Sequence, residues 1–431
     1  MPSVRIERLI KEFSWVLAGQ VLAMLGSLVL LRVLTENLDP SQFGQFALSL
    51  TIVGLINILV MGGVVNGIGR YYSVANDQND VPGYLRASFI ILSYASAIIL
   101  VVSLTATGVL VWLDYSQWIG HLIAVVAVSI LGGFNAALNS IQNAERKRSI
   151  VALHISLDSF LKVLFVIGTA LWFDISVTST IACFALASLV VLISQFFFLQ
   201  RSHHLRNIVS IVSPKQDWVK KILIFSGPIM IMGVFGWAQS ISTRWALQAF
   251  GSNADVGYYS VLSQIGYVPI HTLMGIFMTF LTPIIYEMAG DAKNISRRKS
   301  VSSLTNRIFL SGIIITSVIT LFAFFFHHQI LSIFVAKEYL IISRYLPIMI
   351  ASGGTFGIGL VISAKHLSFL SAKQLMPASI GSAIIGIVAA FAGVYFYSFE
   401  GAVFAMLVHS VSYLIMVLMV SSALEVKNET N

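Results

Sequence analysis

Residues Ala87–Leu113 read ASFIILSYASAIILVVSLTATGVLVWL, 27 consecutive positions without a charged side chain. As a helix rising 1.5 Å per residue, this run is about 40 Å long. A bilayer core of about 30 Å is crossed by about 20 apolar residues, so the stretch is read as a membrane span. Leu17–Leu31 and Phe43–Gly69 are likewise free of charge. Over the whole chain of 431 residues, 57% are hydrophobic and only 10% charged. Soluble domains carry roughly 25% charged residues, so this composition leaves too little polar surface for a water-soluble globule.

Working outward from Ala87–Leu113, the apolar blocks predict about twelve spans. They lie near residues 13–34, 43–68, 86–112, 118–143, 150–173, 177–200, 221–249, 256–286, 301–326, 340–364, 376–397 and 401–423. Arg5, Arg8 and Lys11 precede the first block as in a signal peptide. The block is longer than a signal core and no small-residue cleavage site follows it, so it is read as a span. With the N-terminus inside, twenty Lys and Arg residues fall on the inner loops and only Lys337 on the outer ones. Positive loops face the cytoplasm, so both termini are expected there. The same rule accounts for the formal charge of +8 without nucleic acid.

The loops are short; the longest, about Arg201–Lys220, has no room for a soluble catalytic domain. The chain is not expected to be an enzyme. A single cysteine, Cys183, sits in an apolar block and supports neither a disulfide nor a cysteine-based metal site. No Gly-rich Walker motif is present, so ATP is not the expected drive. No cofactor and no metal are expected.

The two halves repeat. Arg32, Leu34, a short polar loop and Phe43-Gly44-Gln45-Phe46 correspond to Arg244, Leu247, a short polar loop and Val256-Gly257-Tyr258-Tyr259. Gly44 and Gly257 lie 213 residues apart, close to half the chain. The expected division is a six-helix lobe over 1–213 and a second over 214–431, related by an axis along the membrane normal.

These segments resemble the polysaccharide flippases of the multidrug/oligosaccharidyl-lipid/polysaccharide (MOP) superfamily, the Wzx-like proteins. The resemblance runs from Arg32-Val33-Leu34 through Asp39-Pro40-Ser41-Gln42-Phe43-Gly44-Gln45-Phe46, Met61-Gly62-Gly63 and Arg70-Tyr71-Tyr72. It resumes at Ser226-Gly227-Pro228 and Val256-Gly257-Tyr258-Tyr259. It implies an all-α membrane fold of two pseudo-symmetric six-helix bundles around a central cavity. It also implies transport of undecaprenyl-diphosphate-linked oligosaccharide from the inner to the outer leaflet of a bacterial inner membrane, for O-antigen, lipopolysaccharide or a similar surface polymer. The implied partners are that lipid-linked substrate, membrane lipids, and a polysaccharide polymerase with its chain-length machinery. The family pattern carries an acidic residue beside the basic one late in span seven; here Thr243 precedes Arg244.

Moving a diphosphate and its sugars through hydrocarbon requires a hydrated cationic path, because each uncompensated polar group costs several kcal/mol in a dry apolar medium. His154, Asp158 and Lys162 are spaced i, i+4, i+8 in span five and so fall along one side of a helix. Lys162 lies roughly 18 Å into that span, near mid-membrane, where an ionisable group faces a cavity or a partner. Lys162 is read either as a diphosphate site, with Asp158 and His154 exchanging protons, or as half of a structural Asp158–Lys162 pair. Arg32 and Arg244 either guide phosphate outward or snorkel to the headgroups. Arg70 either receives the headgroup or anchors the inner interface. Arg307 is a weaker cavity candidate. His121, His271 and His409 are read as hydrogen-bonded packing residues. Gly227-Pro228, Pro269 and Pro283 are expected to bend their helices, and the pairs Gly63/Gly67 and Gly353/Gly357 to seat neighbouring helices. Four alternatives stand beside this flippase: a multidrug or cation antiporter of the same superfamily, which would want a carboxylate-lined cavity; the related flippase for the peptidoglycan precursor; an integral-membrane polymerase or glycosyltransferase, which would want a large catalytic loop; and a structural or assembly protein, which would not need charged residues at mid-membrane.

Overall fold

The computed structural model describes residues 2–203, 217–290, 294–369 and 372–429. Side chains are described for fewer of these, so Arg5, Arg8, Lys11, His203, His204, Pro228, Pro283, Lys293, Lys373 and Lys427 lie outside the described side chains. The described backbone is helical with no strand. The helices are α1 (Pro2–Asn37), α2 (Pro40–Ile56), α3 (Gly63–Asp77), α4 (Val81–Trp112), α5 (Ile119–Ala144), α6 (Arg148–Trp172), α7 (Val177–His203), α8 (Trp218–Phe250), α9 (Asn253–Gly266), α10 (Val268–Ala289), α11 (Ile295–Phe334), α12 (Leu346–Ser368) and α13 (Ala372–Glu429).

These reproduce the twelve predicted spans with two refinements. Span two is α2 and α3 joined by a π-helical segment, Asn57–Gly62. Span eight is α9 and α10, which meet at Tyr267 just before Pro269. α13 holds the last two spans and reverses at Ser398, whose φ is +50°. The reversal brings Gly393 against Gly401 so closely that a Cβ on either would strike the other's backbone. Further from the turn, His409 Nδ1 bonds the Ser382 carbonyl at 3.1 Å. Tight turns at Asn79, Asp114 and Arg146, all at positive φ, join the earlier helices. α8 continues as one helix through Gly227–Pro228. A membrane helix tolerates proline where neighbours satisfy the freed backbone groups.

Packing divides the chain into two compact units, Met1–Leu38 with Gln45–Trp237, and Asp39–Gly44 with Ala238–Asn431. The expected boundary at 213/214 differs from this division because the first part of α8 packs into the first unit. Trp218 is buried there, its Nε1 donating to Asp80 Oδ2 at 2.8 Å. Tyr84 meets its ring edge-on at 6.1 Å and Lys221 lies 5.2 Å from its centroid. Gly67 faces Ser226 and the Ile222 carbonyl, leaving α8 no room for a Cβ at that position. In the same unit α1 lies along α6, where a Cβ added to Gly26 would fall 2.9 Å from Ser159 Cβ, closer than real Cβ atoms come.

In the second unit α12 packs between α10, α11 and α13. Gly353 and Gly357 face Ile270 and Met274 of α10, the close seating their spacing predicted. The segment Asp39–Gly44 belongs to this unit, where it meets its counterpart in the repeat. Asp39 and Gln42 cap α2 reciprocally, with backbone-to-side-chain bonds of 2.9 and 3.2 Å. Ser252 and Asp255 form the same capping box on α9. Five residues after each cap come Gly44 and Gly257. A Cβ on Gly44 would overlap the Asn253 carbonyl, and one on Gly257 the Pro40 carbonyl. The two helix starts thus touch backbone to backbone.

Candidate functional site

Five of the six candidate residues lie in the first unit. On α6, Lys162 Nζ and Asp158 Oδ2 are 2.5 Å apart. The side chains are 22% and 27% exposed, so the pair is half-buried with one side open. Phe184 of α7 lies 5.1 Å from the Lys162 ammonium, a cation–π contact that holds the chain against α7. The i, i+4 geometry makes the pair; α7 supplies its floor.

His154 shares the helix but does not join them. It is fully buried. Its Nδ1 lies 2.9 Å from the Ile150 carbonyl and its Nε2 3.1 Å from Ser194 Oγ. Phe198 packs edge-on to the ring at 5.4 Å. A carbonyl only accepts, so Nδ1 donates and Nε2 accepts from the serine. Both nitrogens are used in packing α6 on α7.

Arg32 sits one turn before the end of α1 and binds Glu36 through Nε at 2.8 Å and Nη2 at 2.7 Å. Both side chains are well exposed, at 37% and 48%. Arg70 is exposed near the middle of α3 and has no ion pair among the described residues.

Arg244 lies in the second unit, in the last third of α8. It is half-buried, and its Nε donates to Ser260 Oγ of α9 at 3.0 Å. Thr243 beside it and Ser260 are both buried. Among the described residues no carboxylate pairs with it. A guanidinium in this position keeps most of its donors free, in a fork that matches carboxylate or phosphate oxygens. Arg307 on α11 is exposed and has no ion pair among the described residues.

The other histidines take polar or aromatic partners in packing. His121 lies 2.8 Å from Ser49 Oγ and 3.2 Å from Thr178 Oγ1. His409 binds Ser382, and its ring stacks with Phe356 at 5.6 Å. His271 stacks on Tyr267 at 5.7 Å. Sequence reasoning missed the cross-strap of Asn135 and Gln195, 3.2 Å apart between α5 and α7. The recurrence of Asn135, Asn139 and Gln142 in an apolar helix was the available signal.

The model for the polysaccharide biosynthesis protein family matches residues 9–289, nearly two thirds of the chain. No curated protein matches. Among solved structures, the chain is similar to the lipid II flippase MurJ in an inward closed conformation. The TM-score is 0.71 and the identity 15%, over 95% of this chain and 87% of that one. It is similar to an inward-facing multidrug resistance MATE family transporter of the MOP superfamily, with a TM-score of 0.69 and 16% identity over 96% of both chains. It is also similar to the Vibrio cholerae MATE transporter VcmN, with a TM-score of 0.67 and 18% identity over 98% of both. The chain belongs to the polysaccharide biosynthesis protein family and has the fold of the MOP superfamily transporters.

Proposed function

We propose that this protein is a flippase that carries an undecaprenyl-diphosphate-linked oligosaccharide from the cytoplasmic to the outer leaflet of a bacterial inner membrane, for O-antigen or a related surface polysaccharide. Both termini face the cytoplasm, and a polymerase with its chain-length machinery takes up the product. The protein is a transporter and performs no covalent step. The observation that carries the reading is Arg244: an intramembrane guanidinium whose partner is a neutral hydroxyl. Such a group is costly in the membrane unless its function uses the charge. A diphosphate uses it.

Lys162 is the second contact. Its ammonium is held by Asp158, so the diphosphate competes with that carboxylate, and protonation of Asp158 releases the lysine to it. His154 lies one turn from Asp158 on the same helix, and its ring bonds the Ile150 carbonyl and Ser194 Oγ rather than Asp158. Arg70 meets the headgroup at the inner side. An interior-negative potential drives net negative charge outward by about 2.3 kcal/mol per charge per 100 mV. An antiporter for cationic drugs would need free carboxylates within the spans. Among the described residues the carboxylate that lies inside a predicted span, Asp158, is already paired with a cation.

The test depletes the protein in its host and locates lipid-linked oligosaccharide with a sugar-modifying probe that does not cross the membrane. Accumulation on the cytoplasmic side, reversed by the wild type and not by Arg244→Ala, supports the reading. Accumulation of unpolymerised units on the outer side points to polymerase or assembly work instead. No accumulation on either side returns the drug-antiporter reading.

A further inference from the structure

α9 and α10 carry a polar stripe that the assignments above use only at its first residue. Ser260, Gln264, Tyr267, His271 and Gly275 recur at i, i+4, i+7, i+11 and i+15, a spacing that keeps them on one helical face. Tyr267, where the two helices meet, has φ −87° and ψ −52°. These values are within the helical region, so the face continues across the join. The stripe starts at the Ser260 hydroxyl, which Arg244 Nε reaches at 3.0 Å. Ser260 is buried, Gln264 and Tyr267 are half-buried, and His271 and Gly275 are exposed. The His271 ring lies on Tyr267, with 5.7 Å between centroids and 16° between planes. Phe356 of α12 packs against it, also at 5.7 Å. One turn further on, no neighbouring side chain or helix comes within 4 Å of the place a Cβ would take on Gly275.

Beyond Ser260 the protein leaves this stripe unbonded. Among the described residues, no hydrogen bond reaches the Gln264 amide, the Tyr267 hydroxyl or the His271 ring nitrogens. All three stand inside predicted span eight. An uncompensated polar group is costly in hydrocarbon, and an ionisable side chain within a span faces a cavity or a partner. Each of the three side chains can both donate and accept a hydrogen bond, as a sugar hydroxyl does. Residues 260–275 include no Asp, Glu, Lys or Arg. The stripe therefore suits a neutral polyol and lacks the charges that would hold an ion.

We propose that Gln264, Tyr267 and His271 bind the saccharide of the lipid-linked substrate, and that the open space at Gly275 admits one of its rings. The proposal rests on the flippase reading and extends it. Arg244 takes the diphosphate, and the stripe that begins at its own Ser260 partner takes the sugars attached to that diphosphate. From Ser260 to His271 the stripe is about 16 Å long.

The test measures the binding of two ligands to the purified full-length protein: the host's own lipid-linked oligosaccharide, and bare undecaprenyl diphosphate. The wild type is expected to bind the sugar-bearing lipid roughly tenfold tighter, as one or two neutral hydrogen bonds would give. Gln264→Leu and His271→Phe are each expected to remove roughly 3–10-fold of that preference. Gly275→Val, which closes the open space, should act in the same direction. Tyr267→Phe keeps the ring and removes only the hydroxyl, so a loss there is not a packing effect; it is the variant to read should the others not fold. Asn306→Ala, at an exposed amide on α11, should keep the preference. Arg244→Gln should weaken both ligands alike. Equal affinity of the wild type for the two ligands, or a full preference persisting in Gln264→Leu, Tyr267→Phe and His271→Phe, overturns the proposal and leaves the flippase reading standing. Binding of neither ligand by the wild type overturns the flippase reading and this proposal with it.

Discussion

Arg32 and Arg244 occupy corresponding places in a duplicated scaffold, yet their surroundings have diverged. Both stand late in a spanning helix, followed by a capping box and then by a glycine that begins the next span. Arg32 has Glu36 one turn away and holds it with two short contacts at the protein surface. Arg244 has the neutral Gln248 at the matching place, and its partner is the Ser260 hydroxyl. The repeat fixes where a basic residue stands; the next turn of the helix decides whether it meets a carboxylate, as Arg32 does, or a hydroxyl, as Arg244 does. Lys162 is an intermediate case, paired with Asp158 but half-buried on an open side.

The sharpest way to break this comparison is to remove the unpaired charge. Arg244→Gln should lower the rate at which oligosaccharide reaches the outer leaflet by about 10–100-fold, the loss of one charge-assisted hydrogen bond at roughly 1.5–3 kcal/mol. Arg244→Lys should recover part of it, since the ammonium keeps the charge and loses the fork. Folded protein should be retained in both, as judged by thermal unfolding. A normal export rate in Arg244→Gln would sink the assignment of the uncompensated arginine as the anion receptor.

The Asp158–Lys162 pair is sharpened by a double-substitution cycle. Lys162→Met leaves Asp158 without its cation, and Asp158→Leu does the converse; each should lower the unfolding midpoint. Removing both members relieves that mismatch, so the double variant should unfold near the wild-type temperature. Its export should stay about tenfold down, because the diphosphate has lost its lysine, an ammonium contact of roughly 1.5 kcal/mol. Recovery of export along with stability would show the pair to be structural only.

How much of the molecule is legible in the sequence depends on the range of each interaction. The spans are legible because each is its own run of apolar residues, and the repeat because Gly44 and Gly257 keep a fixed offset from their caps. Asp158 and Lys162 are four apart on a helix, so their pairing is legible too. The same spacing groups His154 with them. Each i+4 step drifts about 40° around a helix of 3.6 residues per turn, and the structure turns His154 onto Ser194 of α7 instead. The π-helical segment Asn57–Gly62 has no proline to announce it. Trp218 finds Asp80 across 138 residues. No local pattern encodes that contact.

The crossing of the repeats offers a prediction of intermediate size. Gly44→Ala would drive a methyl group into the Asn253 carbonyl, and Gly257→Ala into the Pro40 carbonyl. Backbone cannot rotate aside as a side chain can, so each should destabilise by about 1–3 kcal/mol, the usual cost of overpacking. Thermal unfolding reads the effect. Equal losses in the two variants would mark the contact as symmetric; an effect at only one would show that the helix starts, like the arginines, have diverged.

Arg32 should give the smallest effect, and its smallness is the control for Arg244. Its ion pair with Glu36 is an exposed i, i+4 pair on one helix, of a kind that contributes about 0.3–0.5 kcal/mol. Arg32→Gln should therefore move the unfolding midpoint by no more than about a degree and export by less than about twofold. Glu36→Gln is the more informative partner experiment. It leaves Arg32 with a neutral neighbour, the condition that Arg244 already meets with Ser260. If an uncompensated arginine at this place in the repeat is sufficient to attract the diphosphate, Glu36→Gln should raise substrate affinity while Arg32→Gln leaves it unchanged. If neither changes affinity, a missing carboxylate is not sufficient at this place, and the proposed role of Arg244 must rest on its half-buried setting beside the buried Thr243 and Ser260.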